Sequence, residues 1–230
     1  MSRLPILLLA TTAAWCSPIY ISNFSFESPA LDGKYYTTGS ATRVYSADDT
    51  WHVYTPSPIP GWNIDANEDA GVWNPAGWSP FSQPLPDGSQ VAYSNGGRIW
   101  QVLNVTLQPY TTYTLNVGIG NRQDCCADAG YRVSLYAGST EVAFDNSSLH
   151  LVHGTWGIST VVFATGATNP LFGQLLTIML QAYPSFPRQV DFDDVTLDAT
   201  LNAAIPEPSS ALLIAGGAAV LWLSRRRRTA

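Results

Sequence analysis

The chain has 230 residues with 11 basic against 17 acidic side chains, a net charge of −6, and only 12% of its residues are charged, while Gly (18), Pro (16), Trp (8) and Tyr (11) are frequent. That length accommodates one well-buried domain plus terminal segments, and the composition suits turns and aromatic-lined strands rather than long helices. Because Arg3 and Arg225 to Arg228 lie at the ends, the body between them is more acidic than the whole, which excludes a nucleic-acid binder that neutralises phosphates with Lys and Arg and favours a hard cation such as calcium.

Residues 1–16 read as a secretory signal: Arg3, the apolar run Leu4 to Leu9, then small residues Ala10 to Ala14, with cleavage after Ala14 or Cys16. The body, 17–200, follows. Its segment Asp48 to Pro86 is rich in proline and acidic residues and carries Trp51, Trp62, Trp73 and Trp78, which predicts long ordered loops. These indoles either cap one end of the domain or offer flat faces to sugar rings and apolar ligands, with Trp62, Trp73 and Trp78 as the candidate ligand-binding set. Asp65, Asn67, Glu68 and Asp69 superficially match a calcium loop of the EF-hand type, but Ala70 and Ala76 replace its required Gly and Glu.

Strand grammar then takes over. Ile99, Gln101, Leu103, Val105 and Leu107 alternate on one face of Gly97 to Leu107, and Tyr113, Leu115 and Val117 alternate after a Pro109-Tyr110 turn, which predicts an antiparallel hairpin. Further strands are expected at Tyr131 to Ala137, Thr155 to Ala164, Leu175 to Ala182 and Gln189 to Leu197. With no helical periodicity between the terminal signals and no fixed repeat, the expected fold is all-β, a two-sheet sandwich or jelly roll. His52, His150 and His153 have no metal-ligand spacing, no serine sits in a nucleophile elbow, and the adjacent Cys125 and Cys126 lack zinc spacing.

Five stretches of the body, in order, carry a family resemblance: Asn23-Phe24-Ser25-Phe26-Glu27, Gly61-Trp62, Pro86 to Tyr93 (PDGSQVAY), Gly120-Asn121-Arg122, and Gln189 to Val195 (QVDFDDV). The body resembles the calcium-binding, carbohydrate-binding-module-like jelly rolls that include the hapalindole (Stig) cyclases. The resemblance implies a galactose-binding-like jelly-roll sandwich with a structural calcium ion held by Glu27 and Asp193, and carboxylates with backbone carbonyls are the oxygen ligands that calcium takes. It also implies an acid site in which Asp191 protonates a substrate and Tyr93 and Tyr131 line the pocket. Strand alternation puts Asp191 and Asp193 on one face, and burial beside aromatic rings would keep Asp191 protonated, as a general acid requires.

The last segment, 201–230, contains an apolar stretch from Ala211 to Leu223, extended by its flanks to a short membrane helix over 209–224, then Arg225, Arg226, Arg227 and Arg228. Four arginines hold that end on the cytoplasmic side and leave the body outside. Pro206-Glu207-Pro208 directly before this helix resembles the PEP-CTERM sorting signal, recognised in that family by a membrane protease, exosortase. The expectation is an exported protein anchored in the inner membrane before processing and then located at the cell surface or in an exopolysaccharide matrix. Its leading function is a calcium-stabilised sandwich binding carbohydrate or matrix polymer, with a cyclase-like enzyme acting on a small apolar substrate, or a structural surface protein, as alternatives. Replacing Glu207 with Ala in a host with a matching exosortase should leave an uncleaved, membrane-retained form on immunoblots; unchanged processing rejects the sorting signal.

Overall fold

Extended segments with one apolar face must bury that face against another sheet, and the computed structural model shows this for most of the body. It describes residues 16–31, 35–38, 41–45, 51–54, 59–65, 70–75, 80–124, 128–183 and 189–202, with backbone alone at 35–38, 41–45 and 51–54. The strands are β1 (Cys16–Ile19), β2 (Tyr35–Thr38), β3 (Ala41–Tyr45), β4 (Trp51–Tyr54), β5 (Asn63–Ile64), β6 (Ala70–Asn74), β7 (Val91–Ser94), β8 (Arg98–Thr106), β9 (Thr111–Asn121), β10 (Tyr131–Ala137), β11 (Thr140–Asn146), β12 (Thr155–Ala164), β13 (Leu175–Ala182) and β14 (Val190–Leu201). No helix occurs among the described residues. The body forms one unit, Trp15–Leu201; of the expected signal, 1–16, only Cys16 is described, as the first residue of β1, and Pro206, Glu207, Pro208 and Arg225 to Arg228 of the expected sorting tail lie outside the described residues.

The larger sheet runs β12-β9-β14-β7-β6-β2-β3-β4 and the smaller one β11-β10-β13-β8-β5. β9 lies along one side of β14, and its other side pairs first with β7 at Val190 to Phe192 and then with β1 at Leu197 to Thr200. The first strand thus begins at Cys16, opposite Thr200. Leu115, Val117, Ile119, Phe192 and Leu197 from the large sheet meet Val133, Leu135, Leu176, Ile178 and Leu180 from the small sheet in one core. The register of β14 shifts between Asp193 and Thr196, with Asp194 left-handed at φ 47°. This bulge lets Phe192, Val195 and Leu197 all face the core although a strict two-residue period from Phe192 would turn Val195 and Leu197 outward.

Two expectations are corrected. β8 and β9 do not pair as a hairpin: β8 bonds β13 and β5, whereas β9 bonds β12 and β14. The chain changes sheets at Leu107 to Tyr110, because alternation records which face is buried and not which strand lies alongside. Likewise Asp48 to Pro86 is not only loop, since it contains β4, β5 and β6; these short strands lack a long alternating run.

Asp145 joins the two sheets at one edge. Its Oδ2 accepts hydrogen bonds from Tyr131 on β10 (2.7 Å), Ser159 on β12 (2.6 Å) and Ser148 (2.9 Å), and its Oδ1 accepts from the Ser148 amide (3.1 Å). Burial alone would raise the carboxyl pKa, but these donors outweigh it and the net shift is downward. A depressed folded-state pKa contributes stability that is complete above the unfolded value, about 3.9, and is lost as pH falls through the folded one. Asp145→Asn should cost about 1–3 kcal/mol at neutral pH and weaken the acid limb of a melting-temperature series; an unchanged acid limb excludes this role.

Candidate active site

Since Phe192 faces the core, its neighbours Asp191 and Asp193 point to the outer face of the large sheet. In one row Gly71 is opposite Tyr93, Tyr93 opposite Asp191, Asp191 opposite Gly120, and Gly120 opposite Trp156. In the next row Asp193 and Ile158 flank Gly118. A second apolar cluster forms here, with Trp73, Val91 and Tyr93 buried and Phe81, Leu85 and Trp156 packed against them. The segment Pro80 to Pro86 crosses this face, tied down by Ser82 N–H to Gly154 O (2.8 Å), Gln123 N–H to Pro80 O (2.9 Å) and Trp156 N–H to Gln83 Oε1 (2.9 Å). It brings the Phe81 ring to 4.7 Å from Trp156 and 6.4 Å from Trp73. The glycine at 120 is required: a Cβ there would stand 2.8 Å from Trp156 Cη2 and 3.0 Å from Phe81 Cε1.

Asp191 is fully buried in this cluster. Gln189 Nε2 donates to its Oδ1 (2.7 Å), and Gln189 Oε1 accepts from Arg122 Nη1 (3.0 Å). The Arg122 guanidinium is also held by both oxygens of Asp124 (2.9 and 2.7 Å) and lies 4.3 Å from the Trp73 ring centre. Asp191 Oδ2 has no hydrogen-bond partner among the described residues. Burial pushes the carboxyl up to about 7, against the opposing pull of the Arg122 charge and the Gln189 amide. A carboxylic acid that keeps its proton near neutrality, with one oxygen fixed and the other unengaged beside aromatic rings, is suited to proton donation. A cleft of about 590 Å³ opens on the same face along Pro84, Pro86, Trp156, Ile158 and Asp194, within the size range of small-molecule sites.

Of the residues singled out from sequence, Tyr93 and Trp73 come together with Asp191, and Tyr131 does not. Tyr131 belongs to the core between the sheets, and its hydroxyl is committed to Asp145. Trp62 is also in the core, 5.1 Å from the Phe26 ring, with its indole N–H donated to Asn23 O (3.1 Å). Neither Trp62 nor Trp73, at 5% and 3% exposure, offers an open face for stacking on a polymer. Trp78, Cys125 and Cys126 lie outside the described residues. Arg122, Gln189, Phe81, Trp156 and Gly120 were given no role from sequence. Arg122 and Gln189 stand in conspicuous local motifs; the Gln189 bond to Asp191 joins same-face neighbours two residues apart, whereas Arg122 reaches Gln189 from a distant segment, a contact that spacing along the chain does not encode.

Glu27 and Asp193 meet at one turn. The Ser89 and Gln90 amides donate to Glu27 Oε1 (2.7 and 2.8 Å), and the Asp87 amide donates to Asp193 Oδ2 (2.9 Å). Gly88 is left-handed at φ 56°, and a Cβ there would collide with the Glu27 carboxyl. Asp193 is buried and pushed up to about 7 by desolvation, with the Asp87 and Asp194 amides opposing the rise. Two carboxylates at one turn, one of them poorly solvated, supply the oxygen donors a hard cation takes, and each of their oxygens also accepts a hydrogen bond from this turn or from Asp194. Among the described residues no group of three His, Cys, Asp or Glu side chains could hold a metal, so backbone oxygens would have to complete any shell.

The fold and site define an all-β, jelly-roll-like sandwich with a buried carboxylic acid beside an aromatic cluster on one outer sheet face. The chain belongs to the HpiC1-like family, described as HpiC1 cyclase, whose model matches residues 17–198. It is similar to a Stig cyclase, Fisc, from Fischerella sp. TAU, solved with (3Z)-3-(1-methyl-2-pyrrolidinylidene)-3H-indole, at 29% identity over 80% of this chain and 98% of that one, TM-score 0.64. A cyclase from Fischerella sp. TAU solved with 4-(1H-indol-3-yl)butan-2-one is 29% identical over 80% of this chain and 97% of that one, TM-score 0.62. A family 16 carbohydrate-binding module is more remote, 19% identical over 60% of this chain and 91% of that one, TM-score 0.40. No curated protein matches the chain.

Proposed function

We propose that this protein is a cyclase or isomerase that acts on a small apolar substrate by acid catalysis, with Asp191 as the acid. The observation that carries this reading is the state of Asp191: fully buried, one oxygen held by Gln189, the other without a partner among the described residues, in a cluster of aromatic rings. Membership of a family described by its cyclase supports it. Asp191 donates its proton to an electron-rich substrate atom or double bond, and the positive charge that develops is stabilised by the π faces of Trp73 and Tyr93. Ring closure uses the substrate's own electrons, and loss of a proton from the product to the Asp191 carboxylate restores the acid, so the step is a net isomerisation. Of the candidate stacking indoles, the two that are described, Trp62 and Trp73, are buried and leave no open face for a polymer.

Calcium is part of the same proposal, as a structural ion held by Glu27 and Asp193 at the Asp87 to Gln90 turn, supplying charge compensation and cross-linking the N-terminal segment to β14. So is location: the sorting tail supports export, inner-membrane anchoring, cleavage by an exosortase-type protease, and residence at the cell surface or in an exopolysaccharide matrix.

Once elemental analysis has established the ion content, chelation should lower the melting temperature by several degrees and Glu27→Gln should abolish most of that response; a curve indifferent to both rejects the ion site. For catalysis, 4-(1H-indol-3-yl)butan-2-one serves as a binding probe and apolar indole derivatives as trial substrates. Asp191→Asn should lower turnover by at least about 100-fold while probe affinity changes less than about threefold, since the lost proton acts in the transition state. Equal turnover by wild type and Asp191→Asn removes Asp191 from the chemistry.

A further inference from the structure

Trp156 Nε1 is a second buried polar atom on this face without a hydrogen-bond partner among the described residues. It belongs to the same row as Asp191: Asp191 is opposite Gly120, and Gly120 is opposite Trp156. The residue between the acid and the indole therefore has no side chain. Trp156 leans over that gap, with Cη2 and Cζ2 at 2.8 and 2.9 Å from where a Gly120 Cβ would stand. Its backbone is fixed, because its amide donates to Gln83 Oε1 (2.9 Å). Packing against Phe81 needs an aromatic ring but no N–H, and a buried donor left unengaged loses its hydration without return. The Arg122 charge on this face is already met by Asp124, so the site presents donors rather than an uncompensated cation.

We propose that the Trp156 indole N–H is a substrate anchor, donating a hydrogen bond to an uncharged carbonyl-type or imine-type acceptor on a flat, apolar substrate that enters from the cleft Trp156 lines and presents its reacting end to Asp191. This inference rests on the acid-catalysis reading of the site. Trp156 keeps its proton and Asp191 gives up its own. The anchor determines which end of the substrate meets the acid, and Trp156 is accordingly a specificity-determining residue.

The test is a double-mutant cycle in which calorimetry measures binding of 4-(1H-indol-3-yl)butan-2-one and of 3-butylindole, which has the same ring and chain length without the ketone oxygen. The partners are wild type, Trp156→Phe and Trp156→benzothienylalanine, the last preserving the bicyclic shape with sulfur in place of N–H. The ratio of the two dissociation constants should shift by about threefold to tenfold against the ketone in both variants, the size of one neutral hydrogen bond. The benzothienylalanine variant should bind 3-butylindole as wild type does, because only the donor has changed. An unchanged ratio with the ketone still bound overturns the anchor and leaves the acid site standing. Failure of wild type to bind either compound overturns the reading of the site and the anchor with it.

Discussion

β14 is hydrogen-bonded along both sides, to β9 on one and to β7 and then β1 on the other, and its alternation decides what each face of the large sheet contains. Phe192, Val195 and Leu197 are buried in the core, so Asp191 and Asp193 are forced onto the opposite face. The bulge at Asp194 resets the phase between Phe192 and Val195. A one-residue slip would put two carboxyls into the core and Phe192 on the outer face. The hydrophobic demand of the core thereby positions the acid, and the paired neighbours on both sides prevent it from moving.

Three buried carboxyls show how hydrogen-bond supply sets chemistry. Asp145, satisfied by three hydroxyls and an amide, is held ionised and acts as a strut between sheets. Asp193 receives amides from Asp87 and Asp194, yet desolvation still prevails. Asp191 receives one side-chain amide on one oxygen and keeps the other unengaged. Burial is common to all three, and the number and kind of donors separates the carboxyl held ionised from the two pushed upward.

The aromatic residues divide in the same way. Trp62 packs on Phe26 inside the sandwich, whereas Phe81 and Trp156 stand over Gly120 on the outer face and Trp73 packs beside Phe81. A module built to stack on polymers needs indoles in the open; a site that holds a proton away from water needs them closed over the acid. The described residues have the second arrangement, and membership of the HpiC1-like family is consistent with it.

Much of this was legible in the chain alone. The strands at Tyr131–Ala137, Thr155–Ala164 and Leu175–Ala182 are where alternation puts them, because one-sided burial leaves a local, period-two imprint. That Asp191 and Asp193 share a face follows from the same imprint. Strand partners did not follow: β8 and β9 read as a hairpin but lie in different sheets, since sheet pairing is a contact between distant segments that a local pattern cannot record. Nor could the sequence separate Tyr93 from Tyr131, or bring Arg122 and Trp156 to the carboxyl, because those placements arise from contacts between distant segments; Gln189, two residues from Asp191, shares its face by the same local alternation. The composition and local periodicity of this chain determined that it would be an all-β sandwich with a carboxyl-bearing final strand. The tertiary structure alone decided which side chains surround that carboxyl, because the register that aligns β7, β9, β12 and β14 is set by burying all their apolar faces at once.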